Sequence, residues 1–121
     1  MVKPSRKTMI NKLDKAWGLT VRERANNLCE ICSRPGNNPH HIIGRRNHSL
    51  RWDLKNGICL CAGCHTFGTK SAHQNPLWFL DQLDKGVLEY LRKKQNEIKK
   101  WKTWELEELL TTLTSDDTIK P

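Results

Sequence analysis

Apolar side chains near the N-terminus recur at the spacing of an amphipathic helix. Ile10, Leu13 and Trp17 fall at positions i, i+3 and i+7, and Gly18 follows them as a possible terminator. The pattern therefore predicts a helix over residues 8–18.

A second helix is expected to begin at Thr20. Thr20 and Glu23 have the spacing of a capping box, in which two side chains bind the free N–H groups of the first turn. Asn26 and Asn27 interrupt the apolar pattern, so this helix should end near them.

The C-terminal half shows helical spacing in three further segments. Asn75 can cap the first segment, with Pro76 as its first residue and Gly86 as its end. Thr103 can cap the last segment. The apolar positions of the second and third segments are Val87, Leu88, Leu91 and Ile98, and then Leu106, Leu109, Leu110 and Leu113.

The centre of the chain is different, because two short apolar runs lie among turn-forming residues. These runs, at residues 40–43 and 57–60, predict two short strands. The expected fold is therefore α+β and mostly helical, in one domain. Its parts are a flexible basic arm (1–7), N-terminal helices (8–28), a central core (29–75), C-terminal helices (76–114) and a tail (115–121).

The charge of the chain favours a polyanionic partner such as DNA. The formal net charge is +8 and the isoelectric point is about 9.5. Lys and Arg neutralise phosphates and release counterions, although a basic protein without such a partner is the alternative. No apolar run approaches the ~20 residues of a membrane span, and no apolar signal segment follows the basic N-terminus. We therefore expect a cytoplasmic protein, whose cysteines bind metal more readily than they form disulfides.

Four of the five cysteines form two Cys-x-x-Cys pairs. Cys29 pairs with Cys32 and Cys61 with Cys64, and together they supply the four sulfur ligands of a tetrahedral structural Zn²⁺. A redox motif and two disulfides are the alternatives, but redox motifs occur singly and disulfides need an oxidising compartment. The fifth, Cys59, is expected to be a small core residue, and the alternative is that it replaces Cys61 as a ligand. The 28 residues between the pairs exceed a simple zinc ribbon and include two adjacent histidines.

The order of these cysteines, histidines and asparagine along the chain resembles a known family motif. The chain reads Cys-x-x-Cys, then His40-His41-Ile-Ile, then Asn56-Gly-Ile-Cys-Leu-Cys-x-x-Cys-His65. Over about residues 29–75 this resembles the motif of HNH endonucleases with zinc knuckles, and the run from His40 to Pro76 is similar to small phage and prophage members. The resemblance implies a ββα-metal core, a hairpin followed by a helix. It also implies metal-dependent hydrolysis of DNA that leaves 5′-phosphate and 3′-hydroxyl ends.

The same resemblance implies a role for each polar residue. His41 would be the general base that accepts a proton from the attacking water, and Asn56 would hold the loop that orients it. His40 and His65 would bind a divalent ion in a site that also contains oxygen ligands. Mg²⁺ or Mn²⁺ is expected there, with Zn²⁺ or Ni²⁺ as tighter-binding inhibitors. Because neighbouring strand residues point to opposite faces, His40 and His41 can serve one site only where the strand ends, twists or bulges.

The position of a possible third histidine ligand in this chain differs from the family pattern. Some HNH sites take a further histidine one turn after the first, but that position here is Thr69. His73 lies eight residues after His65. In a continuous helix that separation is about 12 Å of rise, too far for both to bind one ion. His73 can join the site only if the helix breaks at Gly68, and otherwise it is exposed or contacts phosphate.

Basic residues near the predicted strands are candidates for contacts with DNA phosphates. The main candidates are Arg45, Arg46, Arg51 and Lys55, and further candidates are Arg22, Arg24, Lys3, Arg6 and Lys7. A solvated basic loop is the alternative. Trp52 could pack in the core or stack on a base, and His48 is expected to be exposed or near the DNA rather than a ligand.

Three classes of function fit the sequence. The first is a DNA endonuclease, expected to be a monomer. The second is a zinc module that binds DNA or RNA without catalysis, for which the cysteines and the charge would suffice. The third is an interaction protein in which Leu106 to Leu113 form a dimer seam, although such positions are more simply core. The set of His40, His41, Asn56 and His65 favours the first class, since a binding module does not need it.

Overall fold

The computed structural model describes residues 5–115, of which about half lie in helices packed around a two-stranded sheet. The elements are α1 (Arg6–Arg24), β1 (Asn38–His41), β2 (Gly57–Leu60), α2 (Pro76–Asp81), α3 (Lys85–Lys94) and α4 (Thr103–Leu113). A 3-10 turn (Leu54–Asn56) precedes β2, and a π-helical turn (Gly63–Phe67) follows it. The expectation of an α+β fold with more helix than strand is confirmed. Residues 1–4, with Lys3, and most of the tail, residues 116–121, lie outside the described part.

The N-terminal region is a single helix where the sequence predicted an arm and two helices. Ser5 caps α1 by accepting a hydrogen bond from the Thr8 N–H at 3.1 Å, so the helix already includes Arg6 and Lys7. The predicted capping box at Thr20 is wrong, because its hydroxyl donates to the Ala16 carbonyl within the helix at 2.8 Å. A helix that continues through this region gains a longer face for packing.

Gly18 lies in the middle of α1 and does not end it. A Cβ at this position would lie 3.3 Å from Cγ of Pro39, so the glycine allows β1 to approach the helix closely. Asn26 and Asn27 do mark the end, as predicted, because both adopt left-handed backbone conformations with φ of 55° and 57°.

The two strands form an antiparallel hairpin that packs directly against α1. Asn38 is paired with Leu60 and His41 with Gly57. A Cβ at Gly57 would lie 2.5 Å from Val21 and 2.7 Å from Trp17, closer than any side chain allows. The absence of a side chain at this position therefore lets α1 cover the end of the hairpin where the two histidines lie.

Two apolar clusters form the core. The larger joins α1, α4 and the loop before β2, and its members are Met9, Leu13, Trp17, Val21, Trp52, Cys59, Leu106 and Leu113. The smaller lies beneath the first cysteine pair and α2, with Cys29, Ile58, Leu60, Ala72 and Phe79. Trp52 thus packs rather than presenting its ring to a base. The apolar face of α4 is buried against α1, so the positions proposed for a dimer seam are core.

The C-terminal helices follow the predicted starts better than the predicted ends. Asn75 caps α2 as expected, accepting from the Trp78 N–H at 3.2 Å. Gly86 does not close α2, which ends at Asp81, but lies in the first turn of α3. The cap of α3 is Asp84, which sequence reasoning missed.

The last two predicted boundaries also shift. α3 ends at Lys94, so Ile98 is outside it and is 91% exposed. Thr103 is the first residue of α4, and the cap is Lys102, whose N–H donates to Glu105 at 3.0 Å. None of the helices in the described part is long and apolar enough to cross a membrane.

Candidate metal centres and histidine site

The two cysteine pairs converge on one point, as their spacing predicted. The sulfur atoms of Cys29, Cys32, Cys61 and Cys64 all lie within 4.8 Å of one another, and none forms a disulfide. Those of Cys32 and Cys61 are 3.6 Å apart. Four thiolates around one zinc ion, with bonds of about 2.3 Å, lie roughly 3.8 Å from each other. The group is therefore positioned to hold a metal ion such as Zn²⁺.

Local backbone structure shapes the first cysteine pair. The Ser33 N–H donates to the Cys29 carbonyl at 2.9 Å, and Ser33 has a φ of 66°, so the chain turns back within one Cys-x-x-Cys unit. Burial and hydrogen bonds from the other three cysteines raise the pKa of the Cys64 thiol. Metal binding to this group must therefore release protons. Cys59 stays outside it, buried with its sulfur 3.3 Å from the Gly36 carbonyl, as predicted.

Three histidines form a second group. The π-helical turn ends at Gly68, and the following residues fold back along it. The Ala72 N–H donates to the Cys64 carbonyl at 2.7 Å, and the His73 N–H to the His65 carbonyl at 3.1 Å. Because the chain folds back after Gly68, His73 lies next to His65 although the two are well separated in sequence. A break in the helix at Gly68 is the condition that the sequence set for His73 to join the site.

The geometry of this group suits one divalent ion. A ring nitrogen from each of His40, His65 and His73 lies within 4.8 Å of the others, and Nε2 of His65 is 3.2 Å from Nε2 of His73. Two nitrogens bound to one ion at about 2.1 Å lie roughly 3.0–3.4 Å apart. Burial, together with the charges of the nearby imidazoles, lowers the pKa of His40 to about 4. His40 is therefore neutral at pH 7, as a metal ligand must be.

The donors of the histidine group are nitrogens. Among the described residues, no Asp or Glu belongs to the group, so oxygen ligands would have to come from water or a phosphate. Imidazole nitrogens suit Zn²⁺, Ni²⁺ and Fe²⁺ better than Mg²⁺.

His41 is held against α1. Its ring stacks on Trp17 with centroids 3.8 Å apart and an interplanar angle of 7°. Its Nε2 lies 2.9 Å from the carbonyl oxygen of Arg51. Because a carbonyl only accepts, Nε2 carries the proton and the lone pair is on Nδ1. Burial lowers the pKa of His41, so the neutral form dominates at pH 7.

His40 and His41 lie where the strand ends. β1 terminates at His41, which is one of the conditions under which two adjacent histidines can serve one site. His40 contacts His65, His73 and the buried ring of Phe79, whereas His41 contacts α1. The two side chains therefore have different partners at the end of the hairpin.

Asn56 is fully buried and closes the loop between the strands. Its Oδ1 accepts from the Ile43 N–H at 2.7 Å. Its Nδ2 donates to the carbonyls of Ile43 at 2.8 Å and Leu50 at 3.2 Å. These bonds join both ends of the loop that follows His41, which is the kind of contact that a loop-holding role requires.

Asp14 on α1 is a residue that the sequence did not reveal. Its carboxylate accepts from Nε and Nη2 of Arg51 at 3.1 and 2.8 Å, and from Nε1 of Trp52 at 2.8 Å. Burial alone would raise the pKa of Asp14, but these hydrogen bonds hold it below its usual value. Because the guanidinium of Arg51 is occupied and only 14% exposed, we do not retain Arg51 as a phosphate contact.

The other basic candidates differ in how exposed their side chains are and in which groups they contact. Arg45 and Arg46 are exposed, and Arg45 approaches Asp14 only at 3.7 Å. Lys55 is exposed and lies 4.4 Å above the ring of Tyr90. Arg24 instead donates to two carbonyls beside β2, both at 2.8 Å, and is therefore structural.

Arg22 has an unusual environment. Its Nε is buried, and no hydrogen-bond partner for it lies within residues 5–115. The side chain borders a cavity of about 500 Å³ whose other lining residues are Asn27, Pro35, Gly36 and Asn37. A cation with an unused donor beside polar groups is suited to an anion such as a phosphate.

The hairpin and the segments on either side of it thus hold two groups of side chains that could bind a metal ion, and one oriented imidazole. No protein-family model, curated protein or solved structure matches this chain. What the site does must therefore be argued from its own residues.

Proposed function

We propose that this protein is a metal-dependent endonuclease of the HNH type that hydrolyses phosphodiester bonds in DNA. The observation that supports the proposal best is the group of His40, His65 and His73 beside an imidazole, His41, of fixed tautomer. A structural or binding module has no need of both. The strand–strand–helix order around this group is consistent with the ββα-metal core that the motif implies.

In this proposal each histidine has a chemical role. His40, His65 and His73 would hold the catalytic ion, which when bound supplies positive charge to the phosphoryl oxygens and the leaving 3′ oxygen. Nδ1 of His41 accepts the proton of the attacking water, while its Nε2–H stays bonded to the Arg51 carbonyl. Asn56 restricts the loop that carries this carbonyl. The cysteine group would hold a structural Zn²⁺.

Four cations would bind the DNA backbone. Arg45, Arg46 and Lys55 lie in or next to the loop after His41, and Arg22 borders its cavity on the side of the first cysteine pair. These contacts involve phosphates rather than base edges, so they bind DNA without reading its sequence.

The alternative is a zinc-containing module that binds nucleic acid without cutting it. The four cysteines and the charge of +8 would satisfy that function. The three-histidine group distinguishes the two functions, because a binder gains nothing from an additional ion beside a neutral imidazole.

The decisive experiment is nicking of supercoiled plasmid by the full chain. It should be run with Mg²⁺, Mn²⁺, Ni²⁺ and Zn²⁺ in turn and with EDTA, while circular dichroism records whether the fold persists in EDTA. We expect cutting that needs an added ion and stops in EDTA before the fold is lost. If no ion supports cutting although the protein shifts DNA on a gel, the binding module is correct.

A prediction about DNA binding follows from the two arginines at the end of α1. Arg22→Ala should weaken DNA binding severalfold and reduce the dependence of log K on log salt by about 1, because one phosphate contact is lost. Its melting temperature should hardly change. Fluorescence anisotropy with labelled duplex at several salt concentrations measures both quantities.

Arg24→Ala is the matched control, since it removes the same charge two residues away. It should lower the melting temperature, because the carbonyls of Leu54 and Gly57 lose their donors. An Arg22→Ala protein with unchanged affinity and salt dependence would remove Arg22 from the DNA interface.

A further inference from the structure

We propose that α1 is a positioning element for the general base, and that Asp14 fixes the orientation and tautomer of His41 through Arg51. The inference rests on the proposed function for its catalytic consequence, but its structural claim can be tested separately. The contacts that carry it form a continuous chain from the Asp14 carboxylate to the His41 ring.

The first step is the fork between Asp14 and Arg51. Two N–H···O bonds of 3.1 and 2.8 Å join the guanidinium to the two oxygens of the carboxylate. Bidentate pairs of this kind fix direction as well as distance, which a lysine could not reproduce. The indole N–H of Trp52 donates to the same carboxylate at 2.8 Å, so two consecutive loop residues are tied to α1.

The second step joins that loop to the base. The carbonyl oxygen of Arg51, now fixed by its own side chain, lies 2.9 Å from Nε2 of His41. The preceding carbonyl, of Leu50, is held by Asn56. The acceptor that determines the tautomer of His41 is therefore constrained from both sides.

The third step is the ring stack. Trp17 lies three residues after Asp14, on the same face of α1, and its indole stacks on the imidazole. Its Nε1 donates to the Asp53 carbonyl at 3.0 Å, which fixes the indole in turn. The hydrogen bond to Arg51 and the stack on Trp17 together remove the rotation of the His41 ring.

The catalytic consequence follows from the demands on a general base. A base must present its lone pair in one direction, and here only the tautomer with a proton on Nε2 leaves Nδ1 free. Asp14 touches neither substrate nor metal-binding group, and acts through another residue.

The test uses Asp14→Asn, which keeps the shape of the side chain and removes its charge. Long-range ¹H–¹⁵N NMR of the zinc-loaded protein reports the tautomer of His41. We expect the Nε2–H tautomer in the wild type and a mixture of tautomers in the variant. In plasmid nicking we expect kcat to fall about 10- to 100-fold with KM within twofold, the usual scale for outer partners of an active site.

Two further variants keep the test decisive. Arg51→Lys breaks the same fork with the charge retained, and it serves if Asp14→Asn does not fold. Glu108→Gln on the exposed face of α4 removes one acidic charge elsewhere and should change neither readout. An unchanged tautomer or an unchanged kcat in a folded Asp14→Asn or Arg51→Lys protein overturns the inference. If the wild type does not cut DNA, the nuclease proposal fails, and the NMR result alone decides whether Asp14 positions His41.

Discussion

Replacing His41 with alanine should lower DNA cleavage about 10²- to 10⁴-fold, the range that a general base contributes. The variant should still bind the catalytic ion, because His40, His65 and His73 form their group without His41. It should also remain folded, with a modest loss of stability from the missing stack on Trp17. Single-turnover nicking measures the chemical step, and metal analysis and thermal melting measure the other two properties.

His48→Ala is the matched control for this experiment. His48 lies in the loop after β1, is exposed, and does not belong to the histidine group. It should therefore cut within about threefold of the wild type, since an exposed surface substitution changes little. If His41→Ala cut as fast as His48→Ala, another residue would have to be the base.

Replacing Cys61 with serine should prevent folding under conditions where the wild type is stable. The Cys61 sulfur lies 3.6 Å from that of Cys32 and accepts the Cys64 N–H at 3.4 Å, so its loss opens the group between the two cysteine pairs. Structural zinc in small domains contributes about 10–16 kcal/mol of apparent binding energy, which exceeds the stability of a typical domain. Zinc content and circular dichroism of the purified variant measure the effect.

Cys59→Ser makes the same atomic change two residues earlier, at a buried position outside the group. It should lose some stability through the added hydroxyl, by about 1–3 kcal/mol, but keep one equivalent of zinc. Equal zinc content and equal melting in Cys61→Ser and the wild type would contradict a structural metal at this place.

The features that the sequence predicted well are those set by local chemistry. The cap Asn75 acts within three residues, and the Cys-x-x-Cys pairs each form a local turn. Gly18 shows the opposite case, because its role depends on the approach of Pro39, a contact that the sequence does not display. The rule that a glycine often ends a helix therefore predicted an end at Gly18, whereas the glycine is needed there for close contact between α1 and β1.

The site residues also divide into those that local sequence spacing predicts and those that depend on contacts between distant parts of the chain. Sequence spacing identified the histidines, and it also gave the condition, a break at Gly68, under which His73 could join them. It did not identify Asp14, whose partner Arg51 is 37 residues away and was expected to bind DNA. Long-range ion pairs have no periodic signature, so a basic residue that serves the fold resembles one that serves a ligand.

The two metal-binding groups meet at one peptide bond, since Cys64 belongs to the first and His65 to the second. The Cys64 carbonyl also accepts the Ala72 N–H, which helps to return His73 to the site. Metal binding to the sulfur group and the arrangement of the histidine group are consequently linked equilibria, so that an ion bound at one favours binding at the other. The zinc available to the newly made chain would then affect how readily the histidine group binds its own ion.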